Sequence, residues 1–105
     1  MESSKIDSLL GLAQRAGKMA SGEFAVLKAI KEGKACVVLV TRDASERTKK
    51  KFRDKCTYYN VPCFEHGTMD AVGHALGKET RVSVAVLDPG FANEIVKRLS
   101  REGNT

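Results

Sequence analysis

The chain has 105 residues, 42% hydrophobic and 30% charged, which suits one globular domain able to close a core without disulfide or metal support. No apolar run approaches a membrane span, and the opening Met1-Glu2-Ser3-Ser4 lacks a basic stretch leading into an apolar signal core, so the expected location is cytoplasmic. The net charge of +5 and pI near 9.3 point to a polyanionic partner.

Ser4, with Asp7 three residues on, resembles a capping box and predicts a first helix over residues 5–16. Ile6, Leu9, Leu10, Ala13 and Ala16 follow helical spacing and predict one buried stripe. Gly17 stops that helix, being tolerant of positive φ, and residues 18–20 read as a brief edge strand. Ser21 then sits where an N-cap belongs, ahead of the run Phe24, Leu27, Lys28 and Ile30. Helix two is expected over residues 22–32, burying Val26, Leu27 and Ile30, with Gly33 as its stop.

Residues 35–40 are continuously apolar and rich in valine, the pattern of a central strand covered on both faces. Asp43 or Ser45 caps helix three, residues 44–59, whose inward stripe is Thr48, Phe52, Cys56 and Tyr59. Residues 60–62 break it, and 63–65 form a short strand. Thr68 caps a fourth helix, which runs to Leu76 and stops at Gly77. A polar loop, residues 78–81, leads into an interior strand over 82–87. Asp88-Pro89-Gly90 opens the last helix with proline at its preferred first position. Phe91, Ile95, Val96 and Leu99 point inward from it, and residues 101–105 are expected to fray. Helices alternating with short strands predict an α/β fold, a three-layer α-β-α sandwich around a small four-stranded mixed sheet. The domain spans residues 1–105, with its core in 5–100.

The chemistry follows from what is absent and what converges. Residues 11–18 imitate a phosphate loop, but five residues separate the glycines and neither Ser nor Thr follows Lys18. Cys63, His66 and His74 match no zinc spacing and lack a fourth ligand, so they read as a core thiol with surface histidines. Cys36, Cys56 and Cys63 contain no Cys-x-x-Cys pair and read as reduced, core-leaning thiols. No nucleophile elbow or acid pair appears, which points to a binding module. Ser21 and Gly22 leave first-turn amides of helix two open, and with Arg15, Lys18 and Lys28 they make a phosphate seat. An ordinary helix connection with a charged wet side accounts for the same residues. From Arg42 to Lys55, seven basic residues (42, 47, 49, 50, 51, 53, 55) face Asp43, Glu46 and Asp54, so most of the charge excess is local.

The run Leu9-Leu10-Gly11-Leu12-Ala13-Gln14-Arg15-Ala16-Gly17-Lys18, followed by Ser21-Gly22-Glu23 and Lys28-Ala29-Ile30, resembles the opening of short bacterial members of the kink-turn-binding ribosomal-protein family, the L7Ae and L30e group. Asp43-Ala44-Ser45, Asp54-Lys55-Cys56-x-Tyr58-Tyr59-x-Val61-Pro62, Gly77-Lys78 and Gly90-Phe91-Ala92 extend the resemblance over residues 5–100.

That resemblance implies a non-catalytic RNA-binding protein without a cofactor, a monomer with no membrane association. Its partner would be structured RNA, ribosomal or other, containing a kink-turn or related internal loop. It implies a grip by two adjacent loops, one at the start of helix two and one before the last strand. The first would hold Arg15, Gly17, Lys18, Ser21, Gly22, Glu23, Phe24 and Lys28; the second Lys78, Glu79, Thr80, Arg81 and Val82.

Family members carry Gly-x-Asn-Glu-x-x-Lys at the first loop, and an ungapped match sets Gly22 and Lys28 on its Gly and Lys. Phe24 and Ala25 fall where the base-reading Asn and Glu belong, leaving Glu23 as a substitute in a shifted register. Phe24 either packs in the core, the preferred reading for a phenylalanine in helix two, or stacks on an unpaired base. The charged second loop implies backbone contact, where the family sets small apolar side chains against an extruded nucleotide. The basic helix three lies outside the family's usual contact surface and is either an accessory RNA face or a solvated, solubilising one. A different reading keeps the fold as a protein-interaction module docking on a ribosome-associated protein.

Overall fold

A computed structural model describes residues 2–101, with side chains described from Ser4 onward. The elements are α1 (Glu2–Arg15), β1 (Met19–Ser21), α2 (Glu23–Lys31), β2 (Val37–Val40), α3 (Glu46–Tyr59), β3 (Cys63–Glu65), α4 (Met69–Ala75), β4 (Ser83–Val86) and α5 (Pro89–Arg101). The sheet runs β1-β4-β2-β3; β4 is antiparallel to both neighbours, and β2 and β3 are parallel.

Alternation along the two central strands separates the layers. Val37, Leu39, Val84 and Val86 face α1, α4 and α5, where Ile6, Leu10, Val72, Ile95 and Leu99 close one core. Val38, Val40 and Ala85 face α2 and α3, meeting Val26, Ile30, Phe52 and Cys56 in the other. Both central strands are buried along their whole length, the three-layer sandwich the apolar runs predicted. Among the described residues no helix is long and apolar enough to cross a membrane.

The caps follow the side chains available. Ser45 Oγ accepts from Thr48 N at 3.1 Å and Thr68 Oγ1 from Ala71 N at 3.1 Å, each holding a first-turn amide. Asp43, the rival cap for α3, turns instead to the start of α4, where its Oδ1 accepts from Met69 N at 3.0 Å. Asp88 Oδ2 accepts from Phe91 N at 3.0 Å and starts α5.

Several expectations need correction. Helix α1 begins at Glu2, so Ser4 lies inside it rather than capping it. It also ends at Arg15, and Ala16 leaves the buried stripe because the chain already turns toward Gly17 at φ 72°. Ser21 belongs to β1, paired with Val84, which passes the N-cap of α2 to Gly22. Tyr59 is 39% exposed. Of the inward stripe expected on α3, only Phe52 and Cys56 are buried, and Thr48 is half-buried. His66, expected at the surface, is 1% exposed: its backbone N donates to Val40 O, and its ring Nε2 lies 2.9 Å from Asp7 Oδ1 on α1. Arg101 closes α5 where fraying was expected; residues 102–105 of that tail lie outside the described residues.

Candidate nucleic-acid interface

The register of β1 on β4 fixes which loops meet. Ser21 opposes Val84, so the next residue, Gly22, donates its amide to Ser83 O at 3.0 Å. Arg81 Nε then reaches Ser21 Oγ at 3.3 Å. The start of α2 and the loop before β4 therefore form one continuous edge. That second loop is clamped onto α4, with Lys78 N donating to Gly73 O at 2.9 Å and Arg81 N to Met69 O at 3.0 Å. The clamp requires Gly73, because a Cβ there would stand 1.8 Å from Glu79 O.

At the first loop, Gly22 has φ 92° and ψ 155°, a backbone open to glycine and strained for other residues. Its carbonyl accepts from Val26 N at 3.0 Å, while no side chain caps the helix. The first-turn amides thus face solvent with the positive end of the helix dipole behind them, about half an elementary charge. Glu23 would oppose an anion here, but Lys51 of α3 draws its carboxylate aside at 2.9 Å. Both side chains are about half exposed, so this pair orients the carboxylate and contributes little stability.

Phe24 is not core: it is 82% exposed. The buried face of α2 is set by Val26, Ala29 and Ile30, and a residue two positions before Val26 lies about 200° around the helix from it. The bulky, apolar character of Phe24 pointed inward; its phase on the helix sends it outward beside the open amides.

The remaining residues divide by place. Lys28 is exposed on α2 and enters no ion pair among the described residues. Lys78, Glu79 and Thr80 are exposed, Arg81 is half-buried, and Val82 packs against the α2–α3 core rather than facing outward. Arg15, on the last turn of α1, lines a cleft with Ala71, His74 and Ala75 of α4, and Gly17 lies in the turn that follows at φ 72°. Lys18 O accepts from Leu87 N beyond the far end of β1, so about 10 Å or more of extended strand separates it from Gly22.

Two contributors escaped the sequence reading. Thr41 N donates to Val82 O at 2.9 Å and Arg42 N to Gly67 O at 2.9 Å, which brings Arg42 and the start of α3 to the same edge. The other is Gly73, whose missing side chain lets the second loop lie against α4. Among the described residues no group of three or more His, Cys, Asp or Glu side chains could hold a metal ion. The cysteines are unpaired; a hydrogen bond from Cys56 makes Cys63 easier to ionise, and the same bond, with burial, makes Cys56 harder.

Comparison with known proteins supplies the wider frame. Residues 4–96 match the Ribosomal protein L7Ae/L30e/S12e/Gadd45 family. The chain is 50% identical over 91 residues to the RNA-binding protein YlxQ of Bacillus subtilis (strain 168), covering 87% of this chain and 91% of that one. A solved protein of unknown function from Bacillus halodurans superposes with a TM-score of 0.88 at 40% identity, over 91% of this chain and 97% of that one. The 15.5kD RNA binding protein of Giardia lamblia shares the fold at a TM-score of 0.81 and 18% identity, over 99% of this chain and 90% of its own.

Proposed function

Because the chain belongs to the Ribosomal protein L7Ae/L30e/S12e/Gadd45 family, we propose that it is a non-catalytic, cytoplasmic RNA-binding protein working as a single domain. Its ligand is structured RNA containing a kink-turn or a related internal loop, held at the edge where α2 begins and residues 78–82 cross α4. One observation carries this reading. An uncapped helix N-terminus and a clamped loop, distant in sequence, are tied together by the Gly22 to Ser83 and Arg81 to Ser21 hydrogen bonds.

The roles follow from chemistry. Gly22 lets the RNA backbone approach, and the open amides of α2 receive a phosphate. Lys28 and Arg42 add charge that carries no base information. The loop before β4 meets the RNA through its main chain and Lys78. With Phe24 and Ala25 in place of an amide and an acid, no donor and acceptor lie side by side to read a non-Watson–Crick purine pair. The expected behaviour is modest kink-turn affinity with weak preference over a duplex.

The test is a competitive titration of a kink-turn RNA against a plain duplex at fixed salt. Gly22→Val should weaken kink-turn binding and Lys28→Ala should flatten the salt dependence by about one unit of slope. If both variants, folded by circular dichroism, bind like wild type, the site is elsewhere. Absence of RNA binding at low salt would leave the protein-interaction module as the better reading.

A further inference from the structure

Four large hydrophobic or aromatic side chains are markedly exposed among the described residues, and three of them, Phe24, Tyr58 and Tyr59, sit on α2 and α3. The topology sets how these helices run. β1 and β2 are parallel because each is antiparallel to β4, and β2 and β3 are parallel. The helices joining them both return antiparallel to the strands, so α2 and α3 lie side by side pointing the same way. The Glu23 to Lys51 ion pair bridges them near the start of α2.

Clefts line both flanks of this seam. One, of about 310 Å³, is formed on α2 by Phe24, Leu27, Lys28 and Lys31 with Glu32. The other, of about 530 Å³, is formed on α3 by Lys51, Asp54, Lys55, Tyr58 and Tyr59. The two tyrosine rings meet edge to face with centroids 4.9 Å apart, and Tyr58 is 78% exposed.

The acids of these clefts are already engaged. Asp54 accepts from Lys50 at 2.8 Å, and Glu32 lies 3.4 Å from Lys34. Lys28, Lys31 and Lys55 enter no ion pair among the described residues. Exposed aromatics interleaved with uncommitted lysines are what a single strand of nucleic acid takes: bases stack on rings, and ammonium groups follow the phosphates.

We propose that the α2–α3 seam is a second RNA contact, in which unpaired nucleotides leaving the α2 N-terminus stack on Tyr58 while Lys31 and Lys55 neutralise their phosphates. This rests on the RNA-binding reading and extends it from a folded internal loop to the single-stranded segment beside it. The charge of the seam favours RNA over an apolar protein partner.

The chain offers its own probe, since it has two tyrosines and no tryptophan. Tyrosine emission therefore reports only Tyr58 and Tyr59. Titration with a short oligouridylate at low salt should quench it saturably, and added salt should reverse the quenching. Tyr58→Ala should weaken oligouridylate binding on the order of tenfold, whereas Tyr58→Phe should keep it. Gly22→Val should leave this binding intact while weakening the kink-turn RNA, which separates the two contacts.

Oligouridylate that binds, by anisotropy of a labelled strand, without changing tyrosine emission would overturn the proposal and leave the first site standing. So would wild-type affinity in Tyr58→Ala. Loss of self-association on sedimenting Tyr58→Ala, with oligouridylate binding unchanged, would mean that the seam is a protein interface and would also overturn it. Failure of every RNA to bind would remove the reading on which the proposal rests.

Discussion

Replacing Gly73 by alanine is the sharpest probe of how the second loop is held. On sequence grounds alone the change should help, because Gly→Ala inside a helix gains about 0.5–1 kcal/mol. The structure reverses that sign. A Cβ at position 73 would stand 1.8 Å from Glu79 O, 2.7 Å from Glu79 C and 3.0 Å from Thr80 Cα. These are backbone atoms, and the hydrogen bonds from Lys78 N to Gly73 O and from Arg81 N to Met69 O hold them in place. They must retreat by roughly an ångström or more, breaking at least one of those bonds. Overpacking of this kind costs about 1–3 kcal/mol, enough to outweigh the helix gain.

Gly73→Ala should therefore lower the melting temperature by roughly 4–15 °C, at the ordinary scaling for a domain of this size. The displaced loop carries Arg81 away from Ser21, so kink-turn affinity of the folded variant should fall about tenfold, as one to two kcal/mol would give. Thermal melts and RNA titrations at a temperature well below the transition measure both. Oligouridylate binding at the α2–α3 seam should not change. A variant as stable as wild type, or more so, would refute the packing of residues 78–81 on α4.

Three further outcomes follow. Phe24→Asn should alter stability by no more than about 0.5 kcal/mol in urea unfolding, because the ring is exposed; with Ala25→Glu it should sharpen kink-turn preference over duplex in competition. Phe52→Ala empties the centre of the α2–α3 core and should cost about 3–5 kcal/mol by the same measurement, while the folded fraction keeps its RNA affinity. The hydrogen bond from Cys56 lowers the Cys63 pKa, so its thiolate persists to lower pH and should be alkylated by iodoacetamide before Cys56, read by peptide mass spectrometry across pH; equal rates would contradict the pairing.

The fold was legible where local chemistry decides it. Valine-rich runs gave the two central strands, Gly17, Gly33 and Gly77 marked real turns at positive φ, and Thr68 and Asp88 start the helices they precede. What failed locally was helix phase and the exact position of caps. Ser4-x-x-Asp7 has the spacing of a capping box, but the same spacing is available inside a helix, where Ser4 lies. Size and apolarity assign Phe24 to the core, whereas a stripe started at Val26 sends it outward, where it lies. Nothing local marks His66 as buried, because its partner, Asp7, is 59 residues away on α1.

The candidate site depends on a contact that no local pattern encodes. Ser21 and Arg81 are 60 residues apart and meet only because β1 joins the sheet beside β4 rather than beside β2. That one choice of neighbour opposes Gly22 to Ser83 and closes the edge. It also leaves Lys18 at the far end of β1, although in sequence it stands nearer to Gly22 than Arg81 does. The basic run from Arg42 to Lys55 is dispersed by the same geometry. Arg42 reaches the edge through the Thr41 bond to Val82, Lys49 is taken up by Glu46 and Glu65, and Lys51 holds Glu23 away from the open amides. Lys55 is left with Tyr58 beside it, one turn further along the same flank. A charge count sees seven equivalent cations here, whereas the fold engages Lys49, Lys50 and Lys51 in ion pairs and leaves Lys55 beside the exposed tyrosines.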